Sequence, residues 1–387
     1  MKRRTFVEHS LKLGVAIPFA GSYLTSCLTK NDNESKKLNI LILGGTSFLG
    51  PHQIAYAMER GHSITTFTRG KTQPTIYKEL FDKVTQLTGD RANDLSALAT
   101  GTWDAVIDNS GHNVEWAKKS AALLKDRVGL YLFTSSTGVY YPYLGSNMKE
   151  EDKVLLKEPE TVENEEEKIE YWYGVMKANS ELAVKAEFGT DRTIAVRPTY
   201  MIGPADKSNR FIHWPVRLAK GGEIMVPGKP TDPVQYADVR DVAEFMIRLI
   251  EGNKVGTYNA VGPQKAQTMP AFVKEASTAF SAESNLIQID DYGFLKEQHV
   301  TNVVPWIMPV GNNSGSALIN NEKSIQAGLT FRPLPKTVKD TYDWWYSDAL
   351  SDEKRNTFEQ NTETVYKREA SILEAWKEFE KAEGARS

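Results

Sequence analysis

From residue 38 onward the chain alternates short apolar runs with longer stretches of helical spacing. Residues 38–43, Leu-Asn-Ile-Leu-Ile-Leu, form a nearly unbroken apolar run, the pattern of a parallel strand buried on both faces. It leads into Gly44-Gly45-Thr46-Ser47-Phe48-Leu49-Gly50, after which 51–60 reads as a helix ended by Gly61. Further strands are predicted at 64–67, 84–87, 105–107 and 130–133, with helical stretches between most of them. Repeated strand-then-helix order predicts an α/β fold, a doubly wound parallel sheet with right-handed crossovers. Its ligands would bind beyond the carboxyl ends of the strands.

The second half is less regular. Residues 165–187 read as one long helix and 194–196 as a strand running into Arg197-Pro198. From Ile202-Gly203-Pro204 to Pro233 the chain is rich in Gly, Pro and aromatics, which suits a region covering a substrate better than a regular crossover. Residues 257–261 return as a strand, 264–346 mix short helices with loops, and 349–385 are charged with helical spacing at Tyr366, Ile372, Trp376 and Phe379. There is no internal repeat.

Composition narrows the function classes. The 387 residues are 40% hydrophobic and 25% charged, enough for one large or two modest cores. The formal charge is −3, and without residues 1–26 it becomes −6, from 43 basic and 49 acidic residues, so nucleic acid is not an expected partner. The six His are scattered, and neither HExxH nor CxxC occurs, so no metal site is expected.

The chain starts Met-Lys2-Arg3-Arg4-Thr5-Phe6-Val7, followed by a weakly apolar stretch too short and too broken by Gly and Pro to span a membrane. It ends in Leu24-Thr25-Ser26-Cys27, which holds the single cysteine of the chain. A twin arginine before an apolar stretch resembles the signal of the bacterial route that exports folded proteins, and Leu-Thr-Ser-Cys resembles a lipoprotein cleavage box. These features predict an export signal over 1–26, a lipid anchor at Cys27, a polar tether over 27–37, and a periplasmic or outer-membrane location. If the signal is cryptic, the protein is cytoplasmic.

The glycine-rich turn after the first strand suits a pyrophosphate approached by backbone at a helix N-terminus. Gly44 and Gly50 occupy the outer positions of a GxxGxxG pattern. Ser47 stands at the middle one, flanked by Thr46, Phe48 and Leu49. The acid that holds a ribose diol after the second strand is absent. Thr68 and Arg69 stand there, and Arg69 could meet a 2′-phosphate, stack on adenine or be solvated. The cofactor is therefore NAD or NADP, tightly bound. Asp90, next to Arg91, could accept from an adenine amine or serve only as a turn residue, and Ser110-Gly111 end the fourth strand facing the same groove.

Tyr173-Gly-Val-Met-Lys177 carries the candidate chemistry. Residues four apart share a helix face, so Lys177 could hold its ammonium near the Tyr173 phenol and stabilise phenolate. Tyr173 could then take a proton from a substrate hydroxyl while the Ser136 hydroxyl donates to the carbonyl being formed. Tyr292 and Lys296 repeat the spacing, but no strand ending in Ser precedes them. Context selects Tyr173.

Residues 44–50, Gly89-Asp90, Asp108-Asn-Ser-Gly111, Thr134-Ser-Ser-Thr-Gly-Val-Tyr140, Tyr173 to Lys177 and Arg197-Pro-Thr-Tyr-Met-Ile-Gly-Pro204 together resemble the extended short-chain dehydrogenase/reductase family, over roughly residues 38–346. That group includes NAD-dependent sugar epimerases and dehydratases. The resemblance implies a Rossmann-like sheet over 38–200, joined by 256–262, and a smaller substrate-binding region over 201–346. A helical extension over 347–387 would follow. It implies Ser136, Tyr173 and Lys177 as catalytic residues and, by position, Asn209, Arg210, Trp214 and Gln235 at the substrate, with His213 and Arg240 nearby. Trp214 could stack on a sugar ring or fill the interior. Ser47 and Thr68 depart from the family pattern.

The expected activity is an NAD(P)-dependent sugar or glycoside epimerase/dehydratase. It would work through a transient keto intermediate and recycle its own cofactor, because an exported enzyme has no external supply of nicotinamide. The alternatives are an NAD(P)H-dependent reductase and a non-catalytic saccharide-binding protein on the same fold. A carbohydrate-like small molecule is the expected partner, and a homodimer is compatible with the sequence. Glu115, Asp206 and His213 are candidates for a second acid or base.

Overall fold

The computed structural model describes residues 36–385. The basic start, Cys27 and the tether up to residue 35 lie outside the described residues. The first half alternates as the pattern predicts: β1 (Asn39–Leu43), α1 (Leu49–Glu59), β2 (Ser63–Thr68), β3 (Thr85–Thr88), β4 (Trp103–Asp108), α2 (Val114–Leu124), β5 (Val128–Thr134), α3 (Glu165–Phe188) and β6 (Thr193–Pro198). Then come β7 (Met201–Ile202), α4 (His213–Lys220), β8 (Gly222–Pro227), β9 (Pro233–Asp238), α5 (Val239–Glu251) and β10 (Gly256–Ala260). Seven strands form one parallel sheet in the order β10-β6-β5-β4-β1-β2-β3. The order reverses between β1 and β4, which opens a crevice at their carboxyl ends.

Strand alternation divides the core between the two faces of this sheet. Ile40, Ile42, Ala105, Ile107, Leu132, Ile194 and Val196 lie under α1 and α5, whereas Leu41, Leu43, Phe67, Val106, Tyr131 and Phe133 face α2 and α3. A large apolar side chain buried this completely contributes roughly 1.5–3 kcal/mol.

The remaining elements are β11 (Gly262–Thr268), α6 (Met269–Ser277), β12 (Ser284–Ile289), α7 (Tyr292–Glu297), the short pair β13 (Asn302–Val303) and β14 (Trp306–Ile307), α8 (Glu322–Gln326), α9 (Leu334–Trp345), α10 (Asp352–Glu359) and α11 (Val365–Gly384). A second core gathers Phe211, Trp214, Phe272, Trp306, Val338, Ile372 and Trp376. Packing crosses the boundaries expected from sequence. Helix α5 falls within 201–346, yet its apolar face, with Val242, Met246 and Leu249, belongs to the core of the large sheet. The extension is likewise built in: Ile372, Leu373 and Trp376 of α11 lie in the second core, and Glu369 pairs with Arg217 and accepts from the Met225 N–H at 2.9 Å.

Two buried histidines make the fold acid-sensitive. His52 is 4% exposed and His213 is 5% exposed. Burial lowers His52 to about 4, partly opposed by its contact with the Pro204 carbonyl, and burial together with the Arg217 charge lowers His213 to about 3. Both folded values lie below the ordinary 6.5, so the unfolded chain takes up protons first and stability falls as pH drops through 6.5. At pH 5 each histidine should cost about 2 kcal/mol relative to pH 8. Both ring nitrogens of His213 lack partners, so His213→Leu should flatten the acid limb of urea-midpoint-versus-pH curves without stranding another polar group. An unchanged limb would contradict this account.

Candidate active site

At the end of β1 the chain turns through Gly44, whose φ of +82° favours glycine. A Cβ at Gly44 would come within 3.0 Å of the Ser110 Cβ, and one at Gly50 would overlap the Gly45 backbone. Positive φ recurs at Phe48 but not at Ser47, so the departure from glycine at Ser47 carries no backbone penalty and leaves its side chain exposed. Helix α1 starts without a side-chain cap and without an acid in its first turn. Its free N–H groups and positive end therefore remain available to an anion. A cradle that side chains would fill, beside an uncapped helix start, fits a dinucleotide pyrophosphate. Thr46 and Leu49 complete this turn.

The flanking strand ends differ in their fit. After β2, Thr68 accepts from the Gly70 N–H at 3.1 Å, and Arg69 is exposed with no side-chain partner. Asp90 accepts from the Ala92 N–H at 2.9 Å in a tight turn. Arg91, expected at the cofactor, lies below the groove. It pairs with Asp108 and donates to the Ser110 hydroxyl at 3.0 Å and the Trp116 carbonyl at 2.9 Å, while Tyr131 donates to Asp108 at 2.7 Å. Burial alone would raise the Asp108 carboxyl, but Arg91 and the Tyr131 hydroxyl hold it below the usual range. Arg91 thus supports the β4 turn that presents Ser110 and Gly111. At Gly111 a Cβ would strike the Phe133 ring.

Ser136 lies two residues past the end of β5, and its Oγ accepts from the Gly138 N–H at 3.0 Å. Helix α3 begins at Asn164, which caps the Glu166 and Glu167 N–H groups at 2.8 and 3.0 Å. Gly174 then passes so close to the Gly138 carbonyl that no Cβ would fit between them. A Cβ at Gly138 would lie 2.9 Å from the Tyr173 ring and 3.3 Å from the Ser136 Oγ, so these two groups flank one point. Behind them Arg197 grips Glu181 of α3 through two bonds of 2.9 and 2.8 Å, and Ser135 donates to Glu181 at 2.5 Å.

Lys177 corrects one expectation. Its Nζ donates to the Thr134 carbonyl at 3.0 Å and lies 5.8 Å from the centre of the Tyr173 ring, beneath the ring rather than against the phenol oxygen. Burial lowers this ammonium to about 8, against the opposing charges of Asp108 and Glu181. Burial also pushes the Tyr173 phenol up, while the Ser136 hydroxyl and the Arg210 charge draw it down and Glu170 raises it. The i, i+4 spacing put both groups on one face, but the sheet's free carbonyl captured the ammonium.

A family model for the NAD dependent epimerase/dehydratase family matches residues 40–261, a span holding the glycine cradle, Ser136, Tyr173 and Lys177. The chain belongs to the NAD dependent epimerase/dehydratase family. Its fold is similar to that of the UDP-N-acetylglucosamine 4-epimerase from Methanobrevibacter ruminantium, in complex with UDP-N-acetylmuramic acid (TM-score 0.60, 17% identity, 80% of this chain and 98% of that one). It is also similar to the UDP-glucuronic acid 4-epimerase from Bacillus cereus in complex with NAD (TM-score 0.55, 15% identity, 84% and 99%). A curated relative, the chloroplast stem-loop binding protein of 41 kDa b from Arabidopsis thaliana, is 27% identical over 264 residues. The chain spans 64% of that relative's length.

Of the substrate candidates in this family member, Arg210 lies within electrostatic reach of Tyr173. It stands 5.4 Å over the Tyr200 ring and only 3.9 Å from Asp206. Asn209, at φ +58°, adjoins it with a buried, unpartnered Oδ1. Trp214 is interior: fully buried, it donates to the Val304 carbonyl at 2.8 Å, because the helical spacing of α4 turns it into the second core. Gln235 is structural, pairing with both the N–H and the carbonyl of Ile319 at 3.0 and 2.8 Å. Arg240 is held by Asp238 and Asp340. The Tyr292 phenol donates to Asp232 at 2.6 Å, which burial and that carboxylate make a poor base.

Sequence reasoning missed Tyr143, Tyr200 and Glu170, which surround Tyr173 electrostatically. Burial pushes Tyr143 well above its ordinary value and Tyr200 up to about 12, so both phenols stay protonated as donors. Their hydroxyls have no side-chain or backbone partner among the described residues. A signal existed, since Tyr143 and Tyr200 follow the ends of β5 and β6 and Glu170 precedes Tyr173 by one helical turn. Gly174→Ala should destabilise the protein by roughly 1–3 kcal/mol despite the better helix propensity of Ala, because its methyl meets the Gly138 carbonyl. A urea midpoint equal to or above that of the parent would show that the approach is not tight.

Proposed function

We propose that the protein binds NAD or NADP tightly and interconverts a free sugar, glycoside or related polyol through a transient keto intermediate. The net reaction would be epimerisation or elimination. The observation that carries this is the meeting of the Tyr173 side chain and the Ser136 hydroxyl at Gly138, in a chain that also carries the glycine cradle, with a buried ammonium beneath the Tyr173 ring. A bound nicotinamide supplies the hydride acceptor and, when oxidised, a positive ring charge. Tyr173 takes the hydroxyl proton, Ser136 donates to the forming carbonyl oxygen, and Lys177 supplies a fixed positive charge below the ring.

Two unpaired phenols near Tyr173, those of Tyr143 and Tyr200, support a polyhydroxylated substrate. The twin-arginine-like start and Cys27 support an exported, lipid-anchored enzyme. Such an enzyme must return its hydride to the same molecule, and it would meet free sugars rather than nucleotide sugars. The two epimerases of similar fold named above are epimerases of nucleotide sugars, so the choice between the two substrate classes is part of the test. A net charge of −6 without the leader speaks against a stem-loop nucleic acid as ligand.

Purified mature protein should carry bound nicotinamide, seen by absorbance and mass, and a lipid on Cys27. Protein that is empty and does not take up added NAD or NADP would overturn the proposal. Tyr173→Phe should keep the cofactor and lose turnover by a factor of at least about 100. Arg69→Ala should weaken NADP by about tenfold and leave NAD nearly unchanged, if the exposed guanidinium meets a 2′-phosphate. Equal loss for both cofactors would assign Arg69 to adenine stacking.

A further inference from the structure

Tyr173 with Ser136 suffices to oxidise a carbinol and to reduce it again. Inverting a neighbouring carbon, or expelling a group from the next one, requires another base. The candidates expected from sequence do not serve. His213 is sealed with both ring nitrogens buried, Asp206 Oδ1 is committed to the Ser208 N–H and hydroxyl at 2.9 and 2.7 Å with its Oδ2 buried, and Glu115 stands exposed in the first turn of α2.

Glu170 differs from them in its placement. It lies three residues ahead of Tyr173, about 60° around α3 and one turn nearer its start, so both side chains leave the same side of the helix. The residue is partly exposed, and its carboxylate makes no hydrogen bond or ion pair, although its neighbours do: Glu165 pairs with Lys168, and Glu167 accepts from Asn312 at 2.9 Å. Its charge is felt by the Tyr143, Tyr173 and Tyr200 phenols. Glu166, four residues earlier, adds like-charge repulsion to partial burial, and both raise the Glu170 carboxyl. An unpaired carboxylate kept among protonated phenols costs stability and returns nothing structural, which marks a functional group.

We propose that Glu170 is the second proton-transfer group of this site, acting on the carbon next to the one oxidised; this role rests on the reaction proposed above. Once the keto group has formed, the Glu170 carboxylate takes the proton from the adjacent carbon. The C–H electron pair becomes the carbon–carbon double bond, and the carbonyl π pair moves onto oxygen, where the Ser136 and Tyr173 hydroxyls hold it. Delivery of a solvent proton to the opposite face inverts that carbon, and Glu170 releases the proton it took to solvent. When the next carbon bears an oxygen substituent, the oxyanion instead collapses, the carbon–oxygen bond breaks, and the departing oxygen takes the proton from Glu170. The hydride stays with the cofactor until the carbonyl is reduced.

The test uses the NAD-loaded mature protein in deuterium oxide with the methyl α- and β-glycosides of glucose, galactose and mannose as probes. Reduced nicotinamide is read by absorbance and carbon-bound deuterium by NMR. Wild-type protein should reduce its cofactor and place deuterium beside the oxidised carbon, and Tyr173→Phe should lose both signals. Glu170→Gln should lower deuterium incorporation about a hundredfold more than it lowers cofactor reduction, and Glu170→Asp should restore part of the exchange. Cofactor reduction without deuterium in wild type, or exchange in Glu170→Gln that falls only in step with reduction, overturns the role of Glu170 and leaves the oxidation intact. No cofactor reduction by any probe overturns the parent reaction and this role with it. NAD binding of Glu170→Gln should match wild type and its thermal unfolding should occur at the same or a higher temperature, because the side chain has no partner and loses the repulsion of Glu166, which excludes misfolding as the cause.

Discussion

The approach of α3 to the turn after β5, backbone against backbone at Gly174 and Gly138, is the constraint on which the site depends. A side chain at either position would push the helix outward and separate the Tyr173 phenol from the Ser136 hydroxyl. The gap closes because both residues lack a Cβ, and it stays closed because Arg197 holds Glu181 two turns further along the same helix. Tyr140 accepts from Arg197 at 2.8 Å and donates to Asn259 at 2.8 Å, which extends the clamp from α3 through β6 to β10. Pairing of this kind, fully hydrogen-bonded, fixes geometry more than it adds stability.

The electrostatics follow from that geometry. Lys177 is driven into a nearly dry position, where burial lowers its ammonium and only the Thr134 carbonyl, the Phe133 ring at 5.1 Å and two buried carboxylates support its charge. The phenols around Tyr173 are pushed up by the same dryness, which makes them hydrogen-bond donors toward a bound hydroxylated ring. The surroundings of Tyr173 thus combine a buried ammonium, two protonated phenols and an unpaired carboxylate.

The second core sets what can approach Tyr173. Trp214, Trp306 and Trp376 lie in one cluster that orients α4 and α11, so the segment bearing Asn209 and Arg210 is held on a rigid base. Gln235, bridged to Ile319, fixes β9 to the chain before α8 in the same way. Residues that looked like substrate contacts on sequence grounds are, in these two cases, structural supports.

The linear pattern by itself determined the parallel sheet and the glycine cradle, and the family resemblance added the pairing of Ser136 with Tyr173. Each is a local property: apolar runs of strand length, a backbone that must bend at Gly44, and motifs tied to strand ends. Only the tertiary structure decided which polar residues face the groove. Arg91 and Asp108 are close in sequence to groove residues yet close on each other below it, Lys177 turned toward a free carbonyl of the sheet rather than a phenol oxygen, and Trp214 went inward. Tyr143, Tyr200 and Glu170 were not singled out because they come from three separate segments, and their positions near strand ends and one turn from Tyr173 do not record which way each side chain points. The direction of a side chain and the partner that captures it depend on competing groups brought from far away in sequence, and that competition is settled only when the elements pack.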